Sequence, residues 1–266
     1  MRRFWIVALA LIVAASPARA APATPLDHLP VLAGDYVAID SRETGHRYHI
    51  YVRYPEGYAE TASQRFPIVY LLDGDSLFPM LAAMQRFIHH DDALPDALVV
   101  GIAYGSFEAP RNRRGHDFAE GAPNFARFLE RELIPLVERR VRADPDRRIL
   151  FGQSRGGGFV LHSAFTSPDL FWGRIASNPT LDRLPALSRA PVPSKRRDLR
   201  LLVTSGERDR PVYREPALKW FEQWRGRRGL PWELRTATIA DGTHAADAPR
   251  VYRQGMRWFF QPASGD

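Results

Sequence analysis

Arg148-Ile149-Leu150-Phe151-Gly152-Gln153-Ser154-Arg155-Gly156-Gly157-Gly158 decides the reading of this 266-residue chain. A short apolar strand runs into a glycine, a serine follows two residues on, and another glycine stands two residues beyond it. Small residues then open a helix. A serine so placed is held on a strained, sharp strand-to-helix turn. It needs glycine on both sides because a Cβ two positions away would collide with neighbouring backbone. Gly-x-Ser-x-Gly strings are common by chance. The strand before, the helix after and the run of glycines from 156 to 158 make Ser154 a nucleophile candidate rather than an ordinary Gly/Ser turn.

Outward from that turn, β-branched and apolar runs alternate with helical patterns. Residues 36–39 and 47–53 flank Thr44-Gly45 and read as an opening antiparallel hairpin. Strands are expected at 67–72, 97–102, 148–151, 174–177, 199–204 and 232–239. Helices are expected at 76–89, 124–140, 156–165, 212–226 and 247–260. A hairpin followed by β-α alternation predicts an α/β fold, a mostly parallel twisted sheet with helices on both faces. In such sheets active sites gather at the carboxyl ends of the strands.

A serine nucleophile in that setting demands an acid after a later strand and then a histidine near the end, the chain order of the α/β-hydrolase fold. His244, in Asp241-Gly242-Thr243-His244, follows the last expected strand and is the only one of eight histidines in the final third. It is the candidate general base, taking the Ser154 proton during attack and returning it to the leaving alcohol. Strand 199–204 leads into Ser205-Gly206-Glu207-Arg208-Asp209. Asp209 fits the Gly-x-x-Asp spacing and is preferred as the acid. Glu207 is the second candidate, and Asp241, or a Ser-His dyad oriented by backbone or water, remains open. The competing reading makes Glu207 and Asp209 solvated carboxylates that pair with Arg208 and Arg210.

Acyl transfer also needs donors aimed at the developing oxyanion. The backbone N–H of Arg155 at the helix start is one, and the loop Asp73-Gly74-Asp75 after Leu72 supplies the other. Asp73 with Asp75, and His89-His90-Asp91-Asp92, are the two places where a metal could be entertained. Alternating carboxylates are weak evidence, and sequence neighbours at a helix end rarely converge on one ion. The expectation is therefore no metal and no cofactor.

At this point the residues resemble the putative-esterase family of α/β-hydrolases, which includes esterase D-type enzymes, trilactone siderophore esterases and mycolyltransferases. The resemblance rests on Tyr70-Leu71-Leu72-Asp73-Gly74-Asp75, on Arg113 and Arg114 followed by Asp117-Phe118, and on Phe125, Phe128-Leu129 and Glu132-Leu133-Ile134-Pro135. Gly152-Gln153-Ser154-Arg155-Gly156-Gly157, Phe171-Trp172-Gly173 and Gly255-Met256-Arg257-Trp258-Phe259 complete it, over roughly residues 47–260. It implies hydrolysis of a carboxylic ester through an acyl-enzyme, and it puts the second oxyanion donor on the amide of Asp75. Arg155 stands where many members carry a small or apolar residue, and Ser177-Asn178-Pro179-Thr180 only approximates the usual serine-rich segment. Both departures bear on substrate choice.

Met1-Arg2-Arg3, the apolar run 4–15 and Ala18-Arg19-Ala20 read as a secretory signal peptide over residues 1–20, followed by one catalytic domain over 21–266. A periplasmic or secreted protein is expected, with no membrane anchor after cleavage. No later segment approaches the roughly 20 apolar residues of a span. There is no cysteine, hence no disulfide, no thiolate metal site and no lipid-anchor cysteine. The formal charge is +7, and the leader carries Arg2, Arg3 and Arg19, so the remainder is near +4. No basic helix or aromatic platform points to nucleic acid. Arg155, Arg113, Arg114 and Arg111 near the expected mouth suit an anionic ester such as a ferric catecholate trilactone, because guanidinium pairs with charge and stacks on rings. The bland alternative pairs Arg113 or Arg114 with Asp117 to brace the loop. Two other readings of the same scaffold are an acyltransferase and a non-catalytic binding protein.

Overall fold

Eight strand-forming runs pair into one sheet in a computed structural model, which describes residues 29–182 and 184–261. The expected leader, residues 1–20, lies outside the described residues. The strands are β1 (Gly34–Asp40), β2 (Arg47–Arg53), β3 (Phe66–Leu71), β4 (Leu98–Ala103), β5 (Ala143–Gln153), β6 (Gly173–Ser177), β7 (Arg200–Gly206) and β8 (Glu233–Ile239), in spatial order 1-2-4-3-5-6-7-8. β1 pairs antiparallel with β2, and β2 antiparallel with β4. The other five pairings are parallel.

Side-chain alternation explains the layers. Along β5, Leu150 joins the core on one face while Ile149 and Phe151 join the core on the other. The first face is covered by Phe125 and Phe128 of α3 (Ala122–Phe128), Phe159 of α5 (Arg155–Thr166), and Trp220 and Trp224 of α6 (Pro211–Trp224). The second is covered by Leu77 and Leu81 of α1 (Gly74–Asp91) and by Val251, Tyr252 and Met256 of α7 (Ala248–Phe260). β4 lies between helices on both sides, and all six of its residues are buried. This accounts for its unbroken apolar run. Two shorter helices, α2 (Arg114–Asp117) and α4 (Ile134–Glu138), complete the set.

The structure departs from the sequence expectations in three places. The single helix expected over 124–140 is instead α3, a π-helical turn at Leu129–Leu133 and then α4. Pro135 has no N–H to offer the carbonyl four residues back, and a locally widened turn absorbs the missing bond. β5 begins five residues earlier than expected, at Ala143, because Asp144-Pro145-Asp146-Arg147 carries no apolar strand pattern and lies where the pairing with β3 shifts register. α2, one turn long, is too short to show a period. Among the described residues no helix is long and apolar enough to cross a membrane.

Candidate active site

β5 delivers Ser154 at its carboxyl end, and α5 starts one residue later. Ser154 has φ 58° and ψ −118°, a region that costs a non-glycine residue on the order of 1–3 kcal/mol. The surroundings hold it there. Its N–H donates to the Ser177 carbonyl at 2.9 Å, and its own carbonyl accepts from Gly158 at 3.0 Å and Thr180 at 2.9 Å. The flanking glycine is required by close approach, since a Cβ on Gly152 would sit 2.4 Å from the Gly156 carbonyl oxygen.

The Ser154 Oγ lies 2.8 Å from His244 Nε2, and His244 Nδ1 lies 2.7 Å from Asp209 Oδ2. An ionised carboxylate only accepts, so Nδ1 carries the proton and Nε2 is left as the acceptor of the serine hydroxyl. The Asp209 side chain is 1% exposed, and its other oxygen accepts the Arg210 amide at 2.7 Å. This chain of hydroxyl, imidazole and carboxylate can draw a proton from the serine as its oxygen attacks an electrophile.

The structure separates the acid candidates. Glu207 is exposed and accepts the amide of Asp241 at 2.9 Å. Asp241 pairs with Arg208 at 3.1 Å on the surface. Neither touches His244. The two loops that bring Asp209 and His244 together are tied by Asn178, which is buried and sits just past the carboxyl end of β6. Its Oδ1 accepts the Gly206 amide at 2.6 Å, and its Nδ2 donates to the carbonyls of Thr243 at 3.2 Å and His244 at 2.9 Å. Gln153 also donates to the His244 carbonyl, and the Thr243 amide donates to Asp247. Further groups at the imidazole and the serine are Thr180, whose Oγ1 is 3.3 Å from Ser154 Oγ, and Tyr213, whose ring stacks on His244 at 4.2 Å. Sequence reasoning assigned no role to Asn178, Thr180, Tyr213 or Gln153. A usable signal existed for Asn178 and Thr180, since both follow a parallel strand at the end where sites gather.

On the other side of Ser154 lies a cavity of about 280 Å³ lined by Asp73, Asp75, Leu77, Phe107, Arg114 and Ser154 among others. Asp73, at φ 53°, caps α1 and turns the chain so that Asp75 falls in the first helical turn. Amides in a first turn have no intrahelical partner. Arg155, the residue after the serine, opens α5 in the same way. The carboxylates of this loop are occupied. Arg114 donates to both oxygens of Asp73, at 2.7 and 3.0 Å, and Asp75 accepts the amides of Tyr104 at 2.7 Å and Gly105 at 2.8 Å. Burial works against the Arg114 charge, but its hydrogen bonds to Asp73 and the Asp73 charge outweigh burial and hold the guanidinium above its ordinary pKa.

Among the described residues Asp117 takes no arginine partner. It accepts the hydroxyls of Tyr48 at 2.7 Å and Tyr104 at 3.2 Å and sits 3.1 Å from His116, so the pairing of Arg113 or Arg114 with Asp117 is replaced by Arg114 with Asp73. The guanidiniums of Arg111, Arg113 and Arg155 have no hydrogen-bond or ion-pair partner among the described residues. The histidine run diverges: His89 binds the Leu94 carbonyl at 2.6 Å, His90 binds Glu56 at 2.8 Å, and Asp92 pairs with Arg253. Among the described residues no three His, Asp or Glu side chains come together as a metal set.

A mostly parallel sheet with a serine on a strained turn after β5, an acid after β7 and a histidine after β8 defines an α/β-hydrolase. The chain belongs to the Putative esterase family, whose model it matches over residues 41–258. It is 31% identical over 167 residues to the ferri-bacillibactin esterase BesA of Bacillus subtilis, a match covering 54% of this chain and 57% of that protein. It is 25% identical over 166 residues to the apo-salmochelin esterase of Escherichia coli, covering 55% and 51%. The chain thus spans just over half the length of these curated relatives. Among solved structures, the siderophore hydrolase EstA from Aspergillus nidulans superposes with a TM-score of 0.74 at 22% identity, over 91% of this chain and 98% of that one.

Proposed function

We propose that the protein is an exported serine esterase that hydrolyses carboxylic esters through an acyl-enzyme on Ser154. The observation that carries this reading is the unbroken relay from Ser154 through His244 to the buried Asp209. Ser154 Oγ attacks the ester carbonyl carbon while its proton passes to His244 Nε2, and the carbonyl electrons move onto oxygen. The amides of Asp75 and Arg155 receive that oxyanion. Collapse expels the alcohol oxygen, which takes the proton from Nε2. Water then attacks the acyl-enzyme, gives one proton to His244, and releases the acid as Ser154 recovers its hydrogen. Asp209 keeps Nδ1 protonated and stabilises the imidazolium throughout.

The siderophore-esterase activities of the relatives, together with the unpaired Arg155, Arg113 and Arg111 and with Arg114 in the cavity wall, support a siderophore trilactone as substrate. Guanidinium suits anionic, aromatic groups. Residues 1–20 are read as a cleaved leader and 21–266 as one catalytic domain. A fluorophosphonate probe and short p-nitrophenyl esters test the core of this proposal. The wild type is expected to label at Ser154 and to turn over, and Ser154→Ala to do neither. Turnover persisting in Ser154→Ala would sink it. Trilactones with and without iron then test the substrate, and an intact mass beginning at Ala21 after expression tests the leader.

A further inference from the structure

The two hydrogen bonds of His244 leave one motion unrestrained. Both lie in the plane of the ring, one at Nδ1 and one at Nε2, so neither opposes tilting of the imidazole about the line joining them. The Nε2 bond is also the one broken and remade in every cycle, first when the serine proton is taken and again when the alcohol leaves. In those intervals Asp209 is the one side chain of the relay still bonded to the ring, and Nε2 faces the reacting oxygens.

The face of the ring is held by Tyr213. The two ring centroids are 4.2 Å apart with planes inclined by 25°. Tyr213 is itself fixed, because Arg210 Nη2 donates to its hydroxyl at 3.1 Å and the guanidinium carbon lies 4.7 Å from its centroid. The spacing makes this a single device. Asp209-Arg210-Pro211-Val212-Tyr213 leads from the acid into the first turn of α6, with Pro211 at its first position and the Tyr213 amide bonded to the Arg210 carbonyl at 2.9 Å. Proline in that position is pre-organised for the helix. The two ends of one five-residue segment thus hold the imidazole, Asp209 at its edge and Tyr213 on its face.

We propose that Tyr213 is a positioning residue for the esterase reaction, a flat aromatic wall that keeps the His244 Nε2 aimed at Ser154 Oγ between proton transfers. The proposal rests on the serine-esterase reading above. Offset aromatic stacking of this kind restrains orientation beyond what apolar contact alone supplies, and a small misplacement of a catalytic group is costly.

Two variants test it. Tyr213→Leu keeps the apolar volume and loses the flat face; Tyr213→Phe keeps the face and loses only the bond to Arg210. With a short p-nitrophenyl ester, Tyr213→Leu is expected to lose kcat by about tenfold with KM within about twofold, the mark of a group acting on the chemical step. Tyr213→Phe is expected to restore kcat to within about twofold of wild type. The melting temperatures of both should stay close to wild type, since Tyr213 sits on a half-exposed first turn. Wild-type kcat in Tyr213→Leu, or a Tyr213→Phe as slow as Tyr213→Leu, overturns the stack. Fluorophosphonate labelling of all three proteins separates the two levels: labelling at Ser154 with unchanged kcat sinks the stack alone, whereas a wild type that does not label sinks the esterase reading and the stack with it.

Discussion

The two sides of Ser154 are built differently. On the side of β6 to β8, Asn178 spans two loops with three hydrogen bonds, Asp209 is buried, and Tyr213 covers the imidazole. On the side of β3 and β4, the segment from Gly105 to Arg113 is largely solvent-exposed, with Phe107 75% exposed and Arg111 and Arg113 unpaired. Its ends are anchored by Asp75 to the amides of Tyr104 and Gly105 and by Arg114 to Asp73, and between them His46 bonds the Arg111 carbonyl at 3.0 Å while the side chains of Phe107, Arg111 and Arg113 stay free. One side fixes the positions of reacting atoms and leaves little freedom. The other offers charge and an aromatic ring to whatever approaches, at low local constraint. We read the first side as the chemistry and the second as recognition, and the division can be tested by whether substitutions act on turnover or on selectivity.

The largest effect is expected on the constrained side. Asp209→Asn preserves shape but lets the imidazole adopt the tautomer that cannot accept the serine proton, and kcat should fall by about 10³- to 10⁴-fold. Glu207→Gln, two residues away, removes a surface charge and keeps an oxygen able to accept the Asp241 amide, and kcat should stay within about twofold. Steady-state kinetics on a neutral ester decides between them. Equal losses in the two variants would break the division, because an exposed carboxylate would then matter as much as the buried one.

A second expectation concerns pH and the helix behind the nucleophile. His162 of α5 is buried against Phe159, with ring centroids 5.7 Å apart, and burial pushes its pKa down from 6.5 to about 4. The unfolded chain therefore takes up a proton below pH 6.5 that the folded chain refuses. Stability is fully present above that value, falls as the pH drops, and levels off below about 4. A gap of that size is worth on the order of 3 kcal/mol at its limit. Thermal melts of wild type and His162→Gln between pH 7 and 4 test this. The wild-type curve should decline more steeply on acidification, while the variant, less stable at neutral pH, should lose less. Parallel curves would mean that the histidine is hydrated and that the nucleophile helix is less sealed than its packing indicates.

The same division explains what could be read from sequence. Ser154, His244 and Asp209 were legible because each follows a strand and each chemistry demands a residue type: glycines around a strained serine, a histidine after the last strand, a carboxylate after the one before. What escaped was whatever depends on distant backbone. Asn178 acts by reaching carbonyls 65 and 66 residues away, and its place after a strand marks it as near the site without naming those partners. Tyr213 looks like any aromatic residue in an amphipathic helix until its ring is seen on the imidazole. Arg114 does line the cavity beside Ser154, but its carboxylate partner is Asp73, 41 residues earlier, rather than Asp117, because a turn with positive φ brings that carboxylate beneath it. The π-turn at Leu129–Leu133 had a local cause, Pro135, which punctuates a helix without saying whether it will bend, break or widen.

The smallest effect belongs to the recognition side and is the sharpest test of the comparison. Arg155 gives its backbone N–H to the oxyanion in our reading, while its exposed guanidinium lies near Gly115 without an acidic partner. Replacing the side chain leaves that amide in place, so the change should appear as selectivity rather than as lost chemistry. For Arg155→Ala, the ratio of kcat/KM for an anionic ester to that for a neutral ester of the same leaving group should fall by about fivefold, the scale of one exposed charge contact. Raising ionic strength should erode the same ratio in the wild type and hardly change it in the variant, because salt screens a charge that the variant no longer has. A ratio unmoved by both the substitution and salt would make the arginines solvated bystanders and shift recognition to Phe107 and the cavity beside it. A fall in kcat alone, with the ratio constant, would move Arg155 across the division and into the machinery that presents the oxyanion amide.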